Sequence, residues 1–528
     1  MKNIPNIESF NYNQLAAQCI IGRLSSDDYF KDIGYQENAK NLVKSGIGGF
    51  CVFKGTAADT KKMLDELQYL SEIPLFFCAD FENGLPMRLL DGTAFPHAMA
   101  MGYADDSELT FQCAKAIAEE AKAIGINWNL APVCDVNSNP QNPIINIRSF
   151  GENSSIVEKH SLAYVQGTQS VNVLSCAKHF PGHGDTDIDS HLSLPVLNKS
   201  REELNALELK PFMNAINNGA RSIMVGHLSV PSIDDSGLPA SLSKKIITDL
   251  LRKELGFDRL ILTDALDMNS ITSNYSNAQA IELLFKAGAD IALLPPDCNE
   301  AINTLESLMK NDTIILEQVK RSVEKIIGAK NWCSSEKLTT QGDVETGLRP
   351  VSTKLNLSEL AEKHGNLALK IAMKSISVIG NNSLLPIQKK LSIGGFAFIP
   401  DDDIQPGALF FKMLAQALDN DCDFGFINDE ISDGDLKSLK EGIKNADIML
   451  LAFFYRAKAY KGTVNITDKI KNIVSELSEG KKTIAVLFGN PYLKDVIMTD
   501  TYLLAYSDSL PSIAASIVKL SGMQLNVD

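Results

Sequence analysis

Between Leu174 and Asp264 the chain states one pattern three times: Leu174-Ser-Cys-Ala-Lys-His179, Ser222-Ile-Met-Val-Gly-His227 and Leu260-Ile-Leu-Thr-Asp264 are short, mostly apolar runs ending on an imidazole or a carboxyl. Runs of this length without polar alternation suit strands covered on both faces, as in a parallel sheet. Glu202–Asn217 and Lys244–Leu255 lie between them with apolar residues at a 3.6-residue period, and Gly219 and Gly256 stand just past their last turns. Parallel neighbours need long crossovers, which helices provide. Working outward, the same rhythm gives strands at Ala17–Ile21, Gly48–Phe53, Leu75–Ala79, Ile126–Val133 and Ile291–Leu294. Helical segments fall at Ala57–Leu70, Ser107–Ile124 and Ser154–Val171, with Asp59 and Ser107 as N-caps. Eight βα units over about 300 residues predict an α/β fold whose first part, residues 1–335, is a (β/α)8 TIM-type barrel rather than an open doubly wound sheet.

The rhythm stops at residues 336–356, a stretch rich in Ser, Thr, Gly, Lys and Glu that is expected to be a linker. Beyond it, residues 357–528 alternate again. A helix is expected at Leu357–Ala372, and strands at Leu391–Ile399, Asp423–Ile427, Ile448–Phe454, Thr483–Leu487 and Leu503–Tyr506. This is the pattern of a second, smaller α/β sandwich domain.

Composition narrows the function classes. The chain has 528 residues, 45% hydrophobic and 22% charged, the mix of a globular protein. Fifty basic against 65 acidic residues give a net charge of −15, which argues against nucleic-acid and anionic-membrane partners. No apolar run approaches the roughly 20 residues of a membrane helix. The first ten residues show no basic start followed by an apolar core, and the nine cysteines contain no Cys-x-x-Cys pair. A reduced, cytoplasmic protein is expected. The oligomeric state is left open.

Catalytic groups of a barrel stand at the C-terminal ends of its strands. Those ends carry Asp80, Glu82 and Arg88; Asp135 and Arg148; Lys178 and His179; His227; and Asp264. Five of the seven histidines, His97, His179, His183, His191 and His227, fall on this face. After the fifth strand, Pro181, Gly182 and Gly184 force an irregular loop that sets Asp189 and His191 two residues apart. A carboxylate so placed orients an imidazole for acid/base work. His183, Asp185 and Asp187 make a metal site conceivable, but their spacing matches no ligand motif, so neither metal nor cofactor is expected. Asp264 at its strand tip suits a nucleophile, an electrostatic stabiliser or a helix N-cap. Arg88, Arg148 and Lys178 call for a hydroxyl-rich or anionic partner, or for ion pairs with Asp80 or Asp135.

The run Lys178-His-Phe-Pro-Gly-His-Gly-Asp-Thr-Asp-Ile-Asp-Ser-His191 resembles the signature of glycoside hydrolase family 3 in its β-N-acetylglucosaminidase branch. Ile261-Leu-Thr-Asp264-Ala-Leu-Asp-Met268 resembles the nucleophile motif of that family. Ala79-Asp80-Phe-Glu-Asn-Gly84, Ala131-Pro-Val-Cys-Asp135-Val and Arg148-Ser-Phe-Gly151 resemble further barrel motifs, in the family's order. One departure is visible: the family commonly has Asp-x-Glu-Gly-Gly, whereas Asn83-Gly84-Leu85 follows Glu82 here, on the path to Arg88.

The resemblance implies a retaining exo-β-N-acetylglucosaminidase acting on muropeptide or chitin-type oligosaccharides. It assigns Asp264 as nucleophile and His191, paired with Asp189, as acid and then base. Asp80, Arg88, Arg148, Lys178 and His179 would hold the terminal sugar. A histidine in place of the usual second carboxyl is neutral when deprotonated, so the acceptor could be water or inorganic phosphate. The alternatives are a β-glucosidase or an N-acetylglucosaminide phosphorylase of the same family, and a non-catalytic sugar-binding protein on a barrel scaffold.

Overall fold

Asn11 caps the first helix, Tyr12–Gln18, in a reciprocal box with Gln14, and Leu15, Ala16 and Ala17 turn inward from that helix. The apolar run expected as the first strand is therefore divided: its first residues finish the helix, and β1 is Ile20–Leu24. A computed structural model of the chain describes residues 7–335, 357–400, 403–420, 422–457 and 463–524. The linker expected at 336–356 lies outside the described residues.

The remaining barrel strands are β2 (Gly49–Val52), β3 (Phe76–Ala79), β4 (Trp128–Asn129), β5 (Leu174–Ser175), β6 (Ala177–Phe180), β7 (Ser222–Val225), β8 (Leu260–Thr263) and β9 (Ala292–Leu293). Their ladders are parallel. The expected fifth strand is split at Cys176: β5 pairs with β4, while β6 pairs with β7 through an irregular register. Chain continuity across Cys176 joins the two arcs on one side. On the other, Thr263 N–H donates to Ile291 O at 3.2 Å, and β9 pairs with β1. Eight strand positions thus close a ring; inside it the fully buried Trp128 donates from Nε1 to Ser222 Oγ at 3.0 Å and packs on Phe76, while Phe180 turns outward onto Phe212.

The helices confirm the period but move the caps. Thr56 and Asp106 cap Ala57–Leu70 and Ser107–Ala123, one to three residues before the expected Asp59 and Ser107. The helix expected over Glu202–Asn217 is two pieces, Arg201–Ala206 and Leu209–Asn217, broken where buried Glu208 binds the Lys199 ammonium at 2.6 Å. Gly125, Gly219 and Gly256 all take positive φ at helix ends.

The second unit has β10 (Ser377–Gly380), β11 (Ile393–Phe398), β12 (Cys422–Ile427), β13 (Ile448–Phe453), β14 (Lys482–Leu487) and β15 (Thr501–Leu504). Their order is β10-β15-β14-β13-β11-β12, parallel except for β10 at the edge. The edge strand was not anticipated; its Ser-Val-Ile-Gly run is too short and too exposed to show a pattern. Alternate residues face opposite ways, so both faces are covered. Leu450 and Ala452 pack under the helices Gln405–Leu418 and Leu510–Ser521. Met449, Leu451 and Phe453 share a cluster with Met99, Ala100 and Ile147 of the barrel.

Polar contacts fix this contact between the two units. Asn137 Nδ2 donates to Tyr492 Oη at 2.9 Å, Tyr492 donates to Glu152 at 2.6 Å, and the rings of Tyr103 and Tyr506 stack at 3.9 Å. The helix Leu357–Ser375 is pinned through His364, whose Nδ1 meets Glu120 Oε1 at 2.8 Å. Among the described residues no helix is long and apolar enough to cross a membrane.

Glu120 is fully buried and also accepts from Thr93 N–H at 2.9 Å and Thr93 Oγ1 at 2.6 Å. Glu120→Ala strands these donors and is expected to cost about 3 kcal/mol, lowering the melting temperature by about 5 °C or more. Burial disfavours the His364 cation, but bonds to Glu119 and Glu120 outweigh it and raise its pKa. That part of the loss is full below histidine's unfolded value of about 6.5 and fades as pH rises through the raised value. Thermal melts of both proteins across pH check it.

Candidate active site

A cavity of about 470 Å³ opens at the C-terminal ends of the barrel strands, and Arg456 and Ala457 of the second unit reach its wall. This volume is in the range of small-molecule sites. Asp80, Glu82, Arg88, Arg148, Lys178, His179, His183, His191 and Asp264 all line it.

Its charged floor is one network. Asp80 follows the last residue of β3, and its two oxygens take Lys178 Nζ at 2.7 Å and an Arg88 terminal nitrogen at 2.6 Å. Glu82 takes Arg148 through two nitrogens at 2.8 and 3.0 Å, and Lys178 Nζ lies 2.8 Å from its Oε1. Two carboxylates and three cations therefore share one buried space. Burial alone would raise the Asp80 carboxyl, but Lys178 and Arg88 outweigh it and hold it well below its ordinary range. Glu82 is lowered in the same way by Arg148 and Lys178, against burial. Burial works against the Lys178 ammonium, and Asp80 and Glu82 more than restore it, so it stays charged. The cations form ion pairs, as one of the two expectations had it, and they also line the cavity. Their partners are Asp80 and Glu82; Asp135 is engaged elsewhere.

Asp135 braces the fifth-strand loop from behind. Its Oδ1 accepts His183 N–H at 2.8 Å and His179 N–H at 3.1 Å, and its Oδ2 meets His179 Nδ1 at 2.8 Å. His183 Nδ1 meets Thr186 Oγ1 at 2.8 Å, while its buried Nε2 has no hydrogen-bond partner among the described residues. Burial keeps His183 neutral and pushes its pKa down to about 4.

Gly184 lets this loop lie on the segment after β4: a Cβ there would stand 1.7 Å from Val136 O. Farther along, Asp189 is buried, and its Oδ1 meets both His191 Nδ1 at 2.8 Å and His191 N–H at 2.9 Å. Across the cavity, Asp264 N–H donates to Val225 O at 2.9 Å, extending the strand, and its Oδ1 accepts the Ala265 N–H at 2.8 Å. The next helix starts only at Asn269, so Asp264 is not its cap. Burial would raise the Asp264 carboxyl, but His179, His227 and the Ala265 N–H hold it below its ordinary value. It is a carboxylate at neutral pH.

Three of the five histidines expected on this face line the cavity; two do not. His227 is buried beside it, bound to Ser241 Oγ at 2.7 Å and Ala265 O at 2.9 Å. His97 faces the second unit, 2.8 Å from Ser507 Oγ. Among the described residues no cluster of three or more His, Cys, Asp or Glu side chains is arranged to hold a metal, and Asp185 pairs with Lys199 at 3.2 Å.

Sequence reasoning missed Arg23, Asp267 and Arg456. Arg23 pairs with Asp267 at 2.6 Å on the cavity wall. Its place was hidden because the first strand was set three residues early, ending before it. Arg456 comes from the other unit, and no local motif announces a contact made across domains.

His183 and His97, both pushed down to about 4, take up protons in the unfolded chain before the folded one. Their contribution is full above about 6.5 and lost as pH falls toward 4, at up to about 1.4 kcal/mol per pH unit each. The melting temperature is expected to fall between pH 6.5 and 5, and His183→Gln to flatten that fall. Calorimetry in constant-enthalpy buffers measures both slopes.

Residues 23–329 match the family described as glycosyl hydrolase family 3 N terminal domain. A "Beta-hexosaminidase A" of Pseudoalteromonas piscicida is 34% identical over 386 residues, 68% of this chain and 63% of that protein. A "Beta-N-acetylglucosaminidase/beta-glucosidase" of Cellulomonas fimi is 29% identical over 59% of this chain and 56% of its own length. The chain thus spans about three fifths of the length of these relatives. The structure of a family 3 β-N-acetylglucosaminidase from Paenibacillus sp. str. FPU-7 superposes with a TM-score of 0.83 at 26% identity, covering 97% of both chains. With more than half its length matched by the family's N-terminal-domain pattern, the chain belongs to glycoside hydrolase family 3.

Proposed function

We propose that this protein is a retaining exo-β-N-acetylglucosaminidase that removes terminal N-acetylglucosamine from muropeptide or chitin-type oligosaccharides. The observation that carries the reading is the shared cavity: the Asp264 carboxylate and the Asp189-held His191 imidazole line the same space. In the first step Asp264 attacks the anomeric carbon. His191 protonates the departing oxygen, and a glycosyl ester forms. Asp189 occupies Nδ1, so proton exchange with substrate falls to Nε2. In the second step the neutral imidazole takes a proton from the acceptor, which attacks the ester and regenerates Asp264. The floor of Asp80, Arg88, Arg148 and Lys178, with His179, supplies donors and acceptors for the hydroxyl and acetamido groups of one sugar. Residues 1–335 carry this chemistry, and residues 357–528 form the second domain. The nine cysteines form no disulfide among the described residues and six are buried, which favours a reducing compartment, the cytoplasm.

Asp264→Ala should lower kcat/KM for 4-nitrophenyl β-N-acetylglucosaminide by about a thousandfold or more with the melting temperature held. Turnover at the wild-type rate would overturn the nucleophile assignment. The β-anomer should be the first product seen by NMR.

The aryl N-acetylglucosaminide should be cleaved faster than the matching glucoside. Running the assay with and without inorganic phosphate and identifying the sugar product fixes the acceptor. Free N-acetylglucosamine in both conditions is the expected result, and a sugar 1-phosphate would mark a phosphorylase. Sugar binding without turnover over hours would leave a binding protein.

A further inference from the structure

The cations of the cavity differ in how far their charge is already committed. Lys178 is 2% exposed and sits between Asp80 and Glu82. Arg148, 17% exposed, is held by Glu82 through two nitrogens. Arg88, 30% exposed, and Arg23, 48% exposed, give terminal nitrogens to Asp80 and Asp267. Arg456 is different: its side chain is 37% exposed, and its ion pair with Asp508 is made through Nε at 2.7 Å. It follows β13 by three residues and so stands on the second unit, yet it lines the cavity that holds Asp264 and His191. Exposure rises from Lys178 and Arg148 through Arg88 to Arg456 and Arg23, so the first two belong to the floor and the last two stand toward the mouth. A sugar whose anomeric carbon meets Asp264 fills the floor, so what lies beyond the scissile bond must run toward the mouth.

Arg456 is also held in place. Asp508 follows Ser507, whose Oγ meets His97 Nδ1 of the barrel at 2.8 Å, and this bond holds the segment that carries the carboxylate against the barrel. Burial pushes His97 down to about 4 and keeps it neutral, so it does not compete with Arg456 for the Asp508 charge. A guanidinium fixed through Nε keeps its two terminal nitrogens in the fork geometry that matches a carboxylate.

We infer that Arg456 is a specificity-determining residue that selects leaving groups carrying a carboxylate, contributed by the second unit to a site otherwise built by the barrel. The inference rests on the glycosidase reading above. It gives the substrate class an anionic aglycone, such as an acidic sugar ether or an acidic peptide attached to the next sugar.

The test compares 4-nitrophenyl and 3-carboxy-4-nitrophenyl β-N-acetylglucosaminides on wild type, Arg456→Met and Arg456→Lys. Taking the ratio of kcat/KM for the two substrates within each protein, and then comparing proteins, cancels the intrinsic reactivity of the phenols. The carboxylated-to-neutral ratio should be about three- to fivefold higher in wild type than in Arg456→Met, the size of a half-exposed ion pair. Arg456→Lys should fall between them, and 0.5 M salt should shrink the wild-type advantage. Equal ratios in wild type and Arg456→Met, with both substrates cleaved, would overturn the role of Arg456 and leave the glycosidase reading standing. No cleavage of either substrate by wild type would overturn that reading, and the inference with it.

Discussion

A lysine ammonium wedged between two carboxylates governs the barrel's working end. Asp80 and Glu82 arrive two residues apart on one loop, and without a cation between them their charges would repel at close range in a site that water barely reaches. Lys178 comes from β6, on the far side of the split strand, and touches both. The loop after β3, the loop after β4 through Arg148, and the strand holding the histidine loop are tied at this point. A buried network of this kind is weak evidence for stability but fixes geometry well. Two carboxylates and three cations are thereby held in set positions on the floor of one cavity.

Much of this was legible in the chain, because βα alternation leaves both a periodic record and a rule about where function sits. The strand ends named Asp80, Lys178, His179 and Asp264, and the glycine-rich loop named Asp189 with His191; all but Asp189, which stands behind its histidine, line the cavity. The failures have local causes. Ala16 and Ala17 are strong helix formers inside an apolar run that reads as a strand, and the capping box at Asn11 fixed them in the helix. His227 sits at the right strand end, but the Ser241 hydroxyl and the Ala265 carbonyl draw it away from the opening. Arg148 was expected to choose between ligand and carboxylate, and it has Glu82 while still facing the cavity. Arg456 was beyond reach, since contacts between domains leave no spacing to read.

The second unit is more than an appendage. One face of its sheet is completed by Met99, Ala100 and Ile147, which belong to the barrel loops and helices beside the site. Tyr492 links Asn137 to Glu152, on either side of the loop that ends in Arg148. The residues that order the cavity floor are thus backed by a surface from about 300 residues away in the chain, and Arg456, paired with Asp508, extends that backing to the cavity wall.

One oxygen of Asp189 receives both the ring nitrogen and the backbone amide of His191. Ring and main chain are therefore coupled: turning the imidazole while its peptide stays still breaks the contact at Nδ1. Under the acid/base role proposed for His191, the place of its outer ring nitrogen is set by where the whole segment rests, so a shift of that segment would carry the ring with it.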